Sequence, residues 1–125
     1  MKRFHNLKLR FLLFASTPML RRAERKSKRF QQMLRDQPFV LQIQSRDGTA
    51  GYFELIGGRL QLHFGRHPHP SFSQTWATSK DAVRVMMSRD EADLMRALED
   101  GQCELAGSFL VAMWFNEAMK IARSA

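Results

Sequence analysis

The side chains best equipped for chemistry gather in two places. His63, His67 and His69 stand as His-x3-His-x-His around Gly65 and Pro68, and Cys103 is the only thiol of the chain. Neutral imidazoles bind zinc, but a structural zinc site takes four convergent ligands, and only Cys103 is an obvious fourth. Pro68 and Pro70 stiffen the loop without orienting the rings. A surface loop without metal is the expectation. A nucleophilic Cys–His pair has less behind it, because Cys103 falls in a predicted strand with no base beside it. Asp90, Glu91 and Asp93, and likewise Glu99 with Asp100, read as solvated charges at helix ends and not as paired catalytic carboxylates. Gly57-Gly58 is a hairpin turn, and no glycine-rich phosphate loop or dinucleotide fingerprint occurs. The expectation is a non-enzymatic binding protein with no catalytic residue, no metal and no cofactor.

Apolar residues carry a clearer signal. The run Phe109-Leu110-Val111-Ala112-Met113-Trp114-Phe115 puts large side chains on every side of two helical turns. A helix apolar all round has to be buried on all sides, by protein or by something the protein holds. A chain of 125 residues offers little protein to surround it, so the run points to an apolar ligand or a partner. Met86, Met87, Met95, Met113 and Met119 fall in the C-terminal helices around it. Flexible thioethers suit a pocket that adapts to several hydrocarbon shapes, and they also suit ordinary core packing. Taken with Trp76, Phe109, Trp114 and Phe115, they read as pocket lining. Burial gains a lipid chain about 0.8 kcal/mol per CH₂, so binding could be strong and loosely selective.

The elements that must position these groups follow from period and punctuation. Phe4, Leu7, Phe11 and Phe14 recur at helical steps among Lys2, Arg3, Lys8 and Arg10. Ser16-Thr17-Pro18 predicts a stop there and a second helix running to about Arg35, ended by Pro38. The period then becomes two. Phe39, Leu41 and Ile43, then Phe53 and Leu55, then Leu60, Leu62 and Phe64 alternate with polar residues. Asp47-Gly48 and Gly57-Gly58 supply the turns of an antiparallel meander. A fourth strand is expected at Phe72 to Ala77. Helices are expected behind Thr78-Ser79-Lys80-Asp81 and behind the capping box Ser88-Arg89-Asp90-Glu91, the second ending at Gly101. A fifth strand, Cys103 to Ala106, precedes the terminal helix. The order α-α-β-β-β-β-α-α-β-α segregates strands from helices, an α+β class with helices packed on one sheet face.

Charge is placed as unevenly as grease. Residues 1–35 hold eleven Lys and Arg against Glu24 alone, a balance of +10, and the remainder holds nine against eleven acids, a balance of −2. Residues 1–37 therefore read as a basic amphipathic extension and 38–125 as the globular domain. The extension can meet anionic lipid through Phe4, Leu7, Phe11 and Phe14 with Arg21, Arg22, Arg25 and Lys26. It can equally pack on the domain or dock a protein. Nucleic acid ranks behind these, since no groove-reading motif is present and the acidic body would repel phosphates. No stretch reaches the roughly 18 apolar residues of a spanning helix, and no clean secretory signal is present. A cytoplasmic, soluble protein touching the inner membrane face is expected, and the lone cysteine fits a reducing compartment.

This order and these residues resemble the sterol carrier protein 2 (SCP2) domain, over roughly two-thirds of the chain from Phe39 to Ile121. The matching features are the meander with glycine turns, the fourth strand entering a helix at Thr78-Ser79-Lys80-Asp81, and Met95-Arg96-Ala97-Leu98. After these comes Cys103-Glu104-Leu105-Ala106-Gly107, running into the apolar helix. Family members often have Gly-Asp where this chain has Gly107-Ser108, a change that keeps a helix cap and removes an acid. The resemblance implies a five-stranded, mainly antiparallel sheet covered by helices, with an apolar tunnel between them. In the family that tunnel holds fatty acyl chains, sterols or other lipids, and some bacterial members are accessory factors of ubiquinone biosynthesis that hold polyprenyl intermediates. On this reading Phe53, Leu55, Leu62, Phe64, Trp76, Met86, Met87, Met95, Phe109, Leu110, Met113 and Trp114 line a lipid site. The rival is an interaction module, a homodimer or an accessory subunit of a lipid- or quinone-biosynthesis complex, with no ligand of its own.

Overall fold

The computed structural model describes residues 2–88, 90 and 92–124, with side chains from Asn6 onward. The elements follow the expected order: α1 (Lys2–Lys26), α2 (Lys28–Met33), β1 (Phe39–Ser45), β2 (Ala50–Ile56), β3 (Arg59–Phe64), β4 (Phe72–Trp76), α3 (Ser79–Met86), α4 (Ala92–Glu99), β5 (Cys103–Gly107) and α5 (Phe109–Ser124). The five strands form one sheet in the order β3-β2-β1-β4-β5. Only β1 and β4 run parallel, with Leu41 opposite Phe72; the other pairs are antiparallel. Gly57 and Gly58, both at positive φ, make the tight two-residue turn that sets the β2–β3 register.

The parallel pairing has a topological consequence. Residues 65–71 must carry the chain from the far edge of the sheet, across β2, to the far side of β1. Ser71 exchanges bonds with Val40 at the end of this crossing, its N–H donating to the Val40 carbonyl at 2.8 Å and its hydroxyl accepting from the Val40 N–H at 3.0 Å. Midway, the His67 N–H donates to Gln42 Oε1 at 2.7 Å. Val40 and Gln42, which point away from the helices, are buried as a result.

On the opposite face the helices cover the alternating apolar side chains. Phe39, Leu41, Ile43, Phe53, Leu55 and Leu60 join Leu9, Leu13, Leu20, Ala23, Phe30 and Leu34 in one hydrophobic cluster. Residues 1–37 and the sheet thus share a core. Leu62 is half-buried, and Phe64 at the end of the greasy face is exposed.

Two expectations are corrected here. Pro18 does not divide the first helices: α1 continues through it and ends at Lys26. An internal proline forfeits a backbone bond and costs about 3 kcal/mol. Pro18 faces outward, while Leu9, Leu13, Leu20 and Ala23 bury one stripe on both sides of it. The break comes instead at Ser27, whose extended backbone and side chain, accepting from Phe30 N at 3.1 Å, cap α2. The terminal helix is likewise not buried on all sides. Trp114, Ala118 and Ala122 face the core, whereas Phe109, Leu110 and Met113 face outward.

The entry to α5 is fixed by Gly107. A Cβ at this position would collide with the Ser71 carbonyl oxygen, and the positive φ there also suits glycine. Helix α3 starts as expected, whereas α4 starts at Ala92, whose N–H donates to Asp90 Oδ1 at 3.0 Å. The Thr78 hydroxyl accepts from Asp81 N at 3.1 Å. The Ser88 hydroxyl accepts from Asp90 N at 3.1 Å, while Glu91, its expected partner in the capping box, lies outside the described residues.

Candidate functional site: an apolar face at the start of α5

Helix α5 begins immediately after the edge strand and shows two sides. Inward, Trp114 is 8% exposed, packs edge-on to Phe39 with ring centroids 4.9 Å apart, and lies 6.2 Å from Phe30. Its indole N–H donates to the Met33 carbonyl at 2.9 Å, which satisfies the one polar atom a tryptophan must bury. Phe115 meets Phe53 at 4.9 Å. Outward, Phe109, Leu110 and Met113 are 71%, 78% and 65% exposed. Positions i, i+1 and i+4 fall within one arc of a helix, so these three form a single apolar surface.

The residues expected to line a lipid site divide into three groups. Phe53, Leu55, Trp76 and Trp114 are buried in the core cluster. Leu62 and Met86 are half-buried against it. Phe64, Met87, Met95, Phe109, Leu110 and Met113 are exposed. A cleft of about 260 Å³, counted to its open mouth, lies between α1 and the β2–β3 edge. Leu20, Phe30, Phe53, Leu60 and Leu62 line it with Thr17, Arg21 and Glu24. The space enclosed within it is only about 10 Å³, room for no more than one water, against the roughly 300–1,000 Å³ of small-molecule sites, and it lies under α1 and not between the sheet and the C-terminal helices, where the tunnel is expected. Sequence reasoning named Phe53 and Leu62 but missed the α1 contribution, because a predicted break at Pro18 separated Leu20 from the helix that carries it over β3.

Of the N-terminal group, Leu7, Phe11 and Phe14 are exposed on α1 at 67%, 66% and 61%, and Arg22, Arg25 and Lys26 are exposed beyond them. Arg21 pairs with Glu24 at 3.4 Å. Phe4 lies in α1 with its side chain outside the described residues.

The histidines sit on the far side of the sheet from the core. His63 stacks on Tyr52 at 5.1 Å, and His67 meets the same ring edge-on at 5.2 Å. His63 Nε2 stands 3.6 Å from Glu54 Oε1, a charge contact only when the imidazole is protonated, and makes no hydrogen bond. His67 Nδ1 accepts from the His69 N–H at 3.0 Å. Among the described residues no three potential ligands converge on a metal position. Cys103 is buried, and burial, reinforced by the neighbouring Glu104 charge, pushes its thiol up to about 11. At neutral pH it holds its proton and is a poor nucleophile.

One polar cluster escaped the sequence reading. Ser79, fully buried at the start of α3, meets Asn6 Oδ1 at 2.5 Å, Ser45 Oγ at 2.8 Å and Asp47 Oδ1 at 3.0 Å. Asn6 also donates to the Asp47 carbonyl at 3.2 Å. Burial pushes the Asp47 carboxyl up, but hydrogen bonds from Ser45 and from the backbone and hydroxyl of Ser79 outweigh it and hold the group below its ordinary value. The cluster pins α1 to α3 and to the β1–β2 turn.

The sequence matches no family model, nor any of the curated proteins it was compared with. The fold does find likenesses among solved structures. A UbiJ-SCP2 ubiquinone synthesis protein superposes with a TM-score of 0.64 at 14% identity, over 90% of this chain and 96% of that one. Sterol Carrier Protein 2 Like 2 from Aedes aegypti superposes at 0.52 and 16% identity, over 94% and 98%. Identities this low speak for architecture alone. The mixed, mostly antiparallel sheet, the helices over one face and the helix that precedes them together make this chain an SCP2-like fold.

Proposed function

We propose that the chain is a non-enzymatic binder of a hydrophobic lipid, of fatty acyl, sterol-like or polyprenyl type. The observation behind this reading is the surface formed by Phe109, Leu110 and Met113, which the fold leaves largely uncovered. Apolar side chains grouped on a surface mark sites of interaction. No charged residue stands among residues 107–116 to anchor a polar partner there. A hydrocarbon chain laid against these residues exchanges water for apolar contact. The SCP2-like fold supports the reading. Delivery of the lipid, to a membrane or to an enzyme that uses it, completes it.

Native mass spectrometry of the untreated protein, with analysis of its organic extract, tests this proposal. A co-purifying lipid is expected in the parent protein and is expected to be depleted in Phe109→Asp/Leu110→Asp. A ligand-free spectrum, with an extract no richer than that of an unrelated protein, sinks it. The same surface favours a second reading, that of an accessory subunit, and one of the solved structures with this fold is named for ubiquinone synthesis. A lipid-free dimer that the Phe109→Asp/Leu110→Asp change splits into monomers would establish that reading instead.

A further inference from the structure

We infer that the outward face of α1 is a docking surface for an anionic lipid bilayer, on which the helix lies flat while its other face stays in the core. Leu7, Phe11 and Phe14 follow one another at four- and three-residue steps and so share a stripe. All three are largely exposed. On the opposite side of the same turns Leu9 and Leu13 are 0% and 1% exposed. Docking therefore needs no release of the helix.

The charges around the stripe choose the occupant. Lys8, Arg22, Arg25 and Lys26 are exposed, and the ion pairs of the described residues leave them uncommitted. Arg10 lies at the stripe's edge with its guanidinium 4.9 Å from the centre of the Phe64 ring, which extends the apolar surface onto the end of β3. Glu24, the single acid of the segment, is engaged by Arg21. Aromatic and aliphatic groups flanked by cations on one exposed helix face match the boundary of a bilayer, with acyl chains below and anionic headgroups beside. A nucleic acid would set the apolar stripe against phosphates. The imbalance of +10 in residues 1–35 against −2 elsewhere would turn this face toward an anionic membrane before contact. Nothing in this requires that the domain carry a lipid.

Flotation of the full chain with vesicles tests it, comparing pure phosphatidylcholine with a mixture containing phosphatidylglycerol. The chain is expected to float with the anionic vesicles and to stay behind with the neutral ones, with binding weakened as salt is raised. Arg22→Gln/Arg25→Gln/Lys26→Gln is expected to lower partitioning on the order of a hundredfold. Phe11→Ser/Phe14→Ser is expected to lower it on the order of tenfold. Both variants alter exposed side chains, and circular dichroism confirms their folding. Equal flotation with neutral vesicles, no flotation, or unchanged binding in both variants would overturn the inference. So would capture by polyglutamate or duplex DNA with no binding to vesicles. Organic extracts of the parent chain separate the two readings: empty extracts refute lipid carriage and leave the flotation result standing.

Discussion

Helices α1 and α5 are built alike and finished differently. Each buries a stripe against the sheet, Leu9, Leu13, Leu20 and Ala23 in one, Trp114, Ala118 and Ala122 in the other. Each also turns large apolar residues outward, Leu7, Phe11 and Phe14 in one stripe of α1 and Phe109, Leu110 and Met113 on α5. Around Leu7, Phe11 and Phe14 lie Lys8, Arg10 and the basic second half of α1, whereas Phe109, Leu110 and Met113 are followed on their own side by Asn116, by Glu117, which pairs with Arg29 at 3.2 Å, and then by Lys120. Exposed grease ringed by cations suits an interface between water and charged headgroups. Exposed grease whose nearest acid is already paired with Arg29 suits a partner that is itself apolar. The two helices thus share one job toward the core and have separate jobs toward the outside.

The sharpest way to break this comparison is to cut each helix on its inward side. Leu13→Ala removes a fully buried side chain and is expected to cost about 2–5 kcal/mol. Trp114→Ala is expected to cost about 3–5 kcal/mol. It empties the contact with Phe39 and leaves the Met33 carbonyl without its donor. Urea denaturation reads both. If residues 1–37 were a separate arm, Leu13→Ala would leave the midpoint where it is.

Much of this was legible from residue order. The hairpins were, because Gly57-Gly58 and Asp47-Gly48 punctuate a strict period of two and the greasy face follows from it. The first two helices were legible in kind but not in extent. Pro18 carries the usual signal of a boundary, and only the buried stripe running past it shows why the helix continues. The stripe itself was hard to see. Phe4, Leu7, Phe11 and Phe14 make the stronger apolar repeat, yet Leu9 and Leu13 are the residues that reach the core. The terminal helix misled for the opposite reason. Apolar all round, it suggested complete burial, but one sheet and two neighbouring helices cover only one of its sides. The crossing of residues 65–71 over the outer sheet face depends on β4 pairing with β1, a long-range choice with no local mark. It is what carries His67 to Tyr52, on the far side of the sheet from the apolar site.

A smaller effect probes how α1 is tied down. Asp47→Asn keeps the shape of the side chain and removes the charge that accepts from Ser79. It is expected to cost about 1–3 kcal/mol near neutral pH. The Asp47 carboxyl is held below its ordinary value in the folded protein, so its ionised form stabilises the fold. That contribution is complete above the ordinary carboxylate pKa and disappears as pH falls through the lowered value. The gap between parent and variant is therefore expected to close in acid. Melting temperatures across the acid range check it, and a gap that stays constant would mean that the charge of Asp47 is not what holds the cluster.

The smallest effects on stability belong to the outward faces, and there the comparison becomes sharpest. Phe11→Ser and Leu110→Ser each alter a side chain that is largely exposed and outside the core cluster. Surface changes of this kind are expected to move stability by about 0.5 kcal/mol at most. With folding unchanged, any loss of binding reports the surface itself. Phe11→Ser should weaken vesicle binding and leave co-purifying lipid as it was, while Leu110→Ser should do the reverse. If either change impaired both, α1 and α5 would be serving one continuous surface, and the charge that distinguishes them would not be dividing their roles.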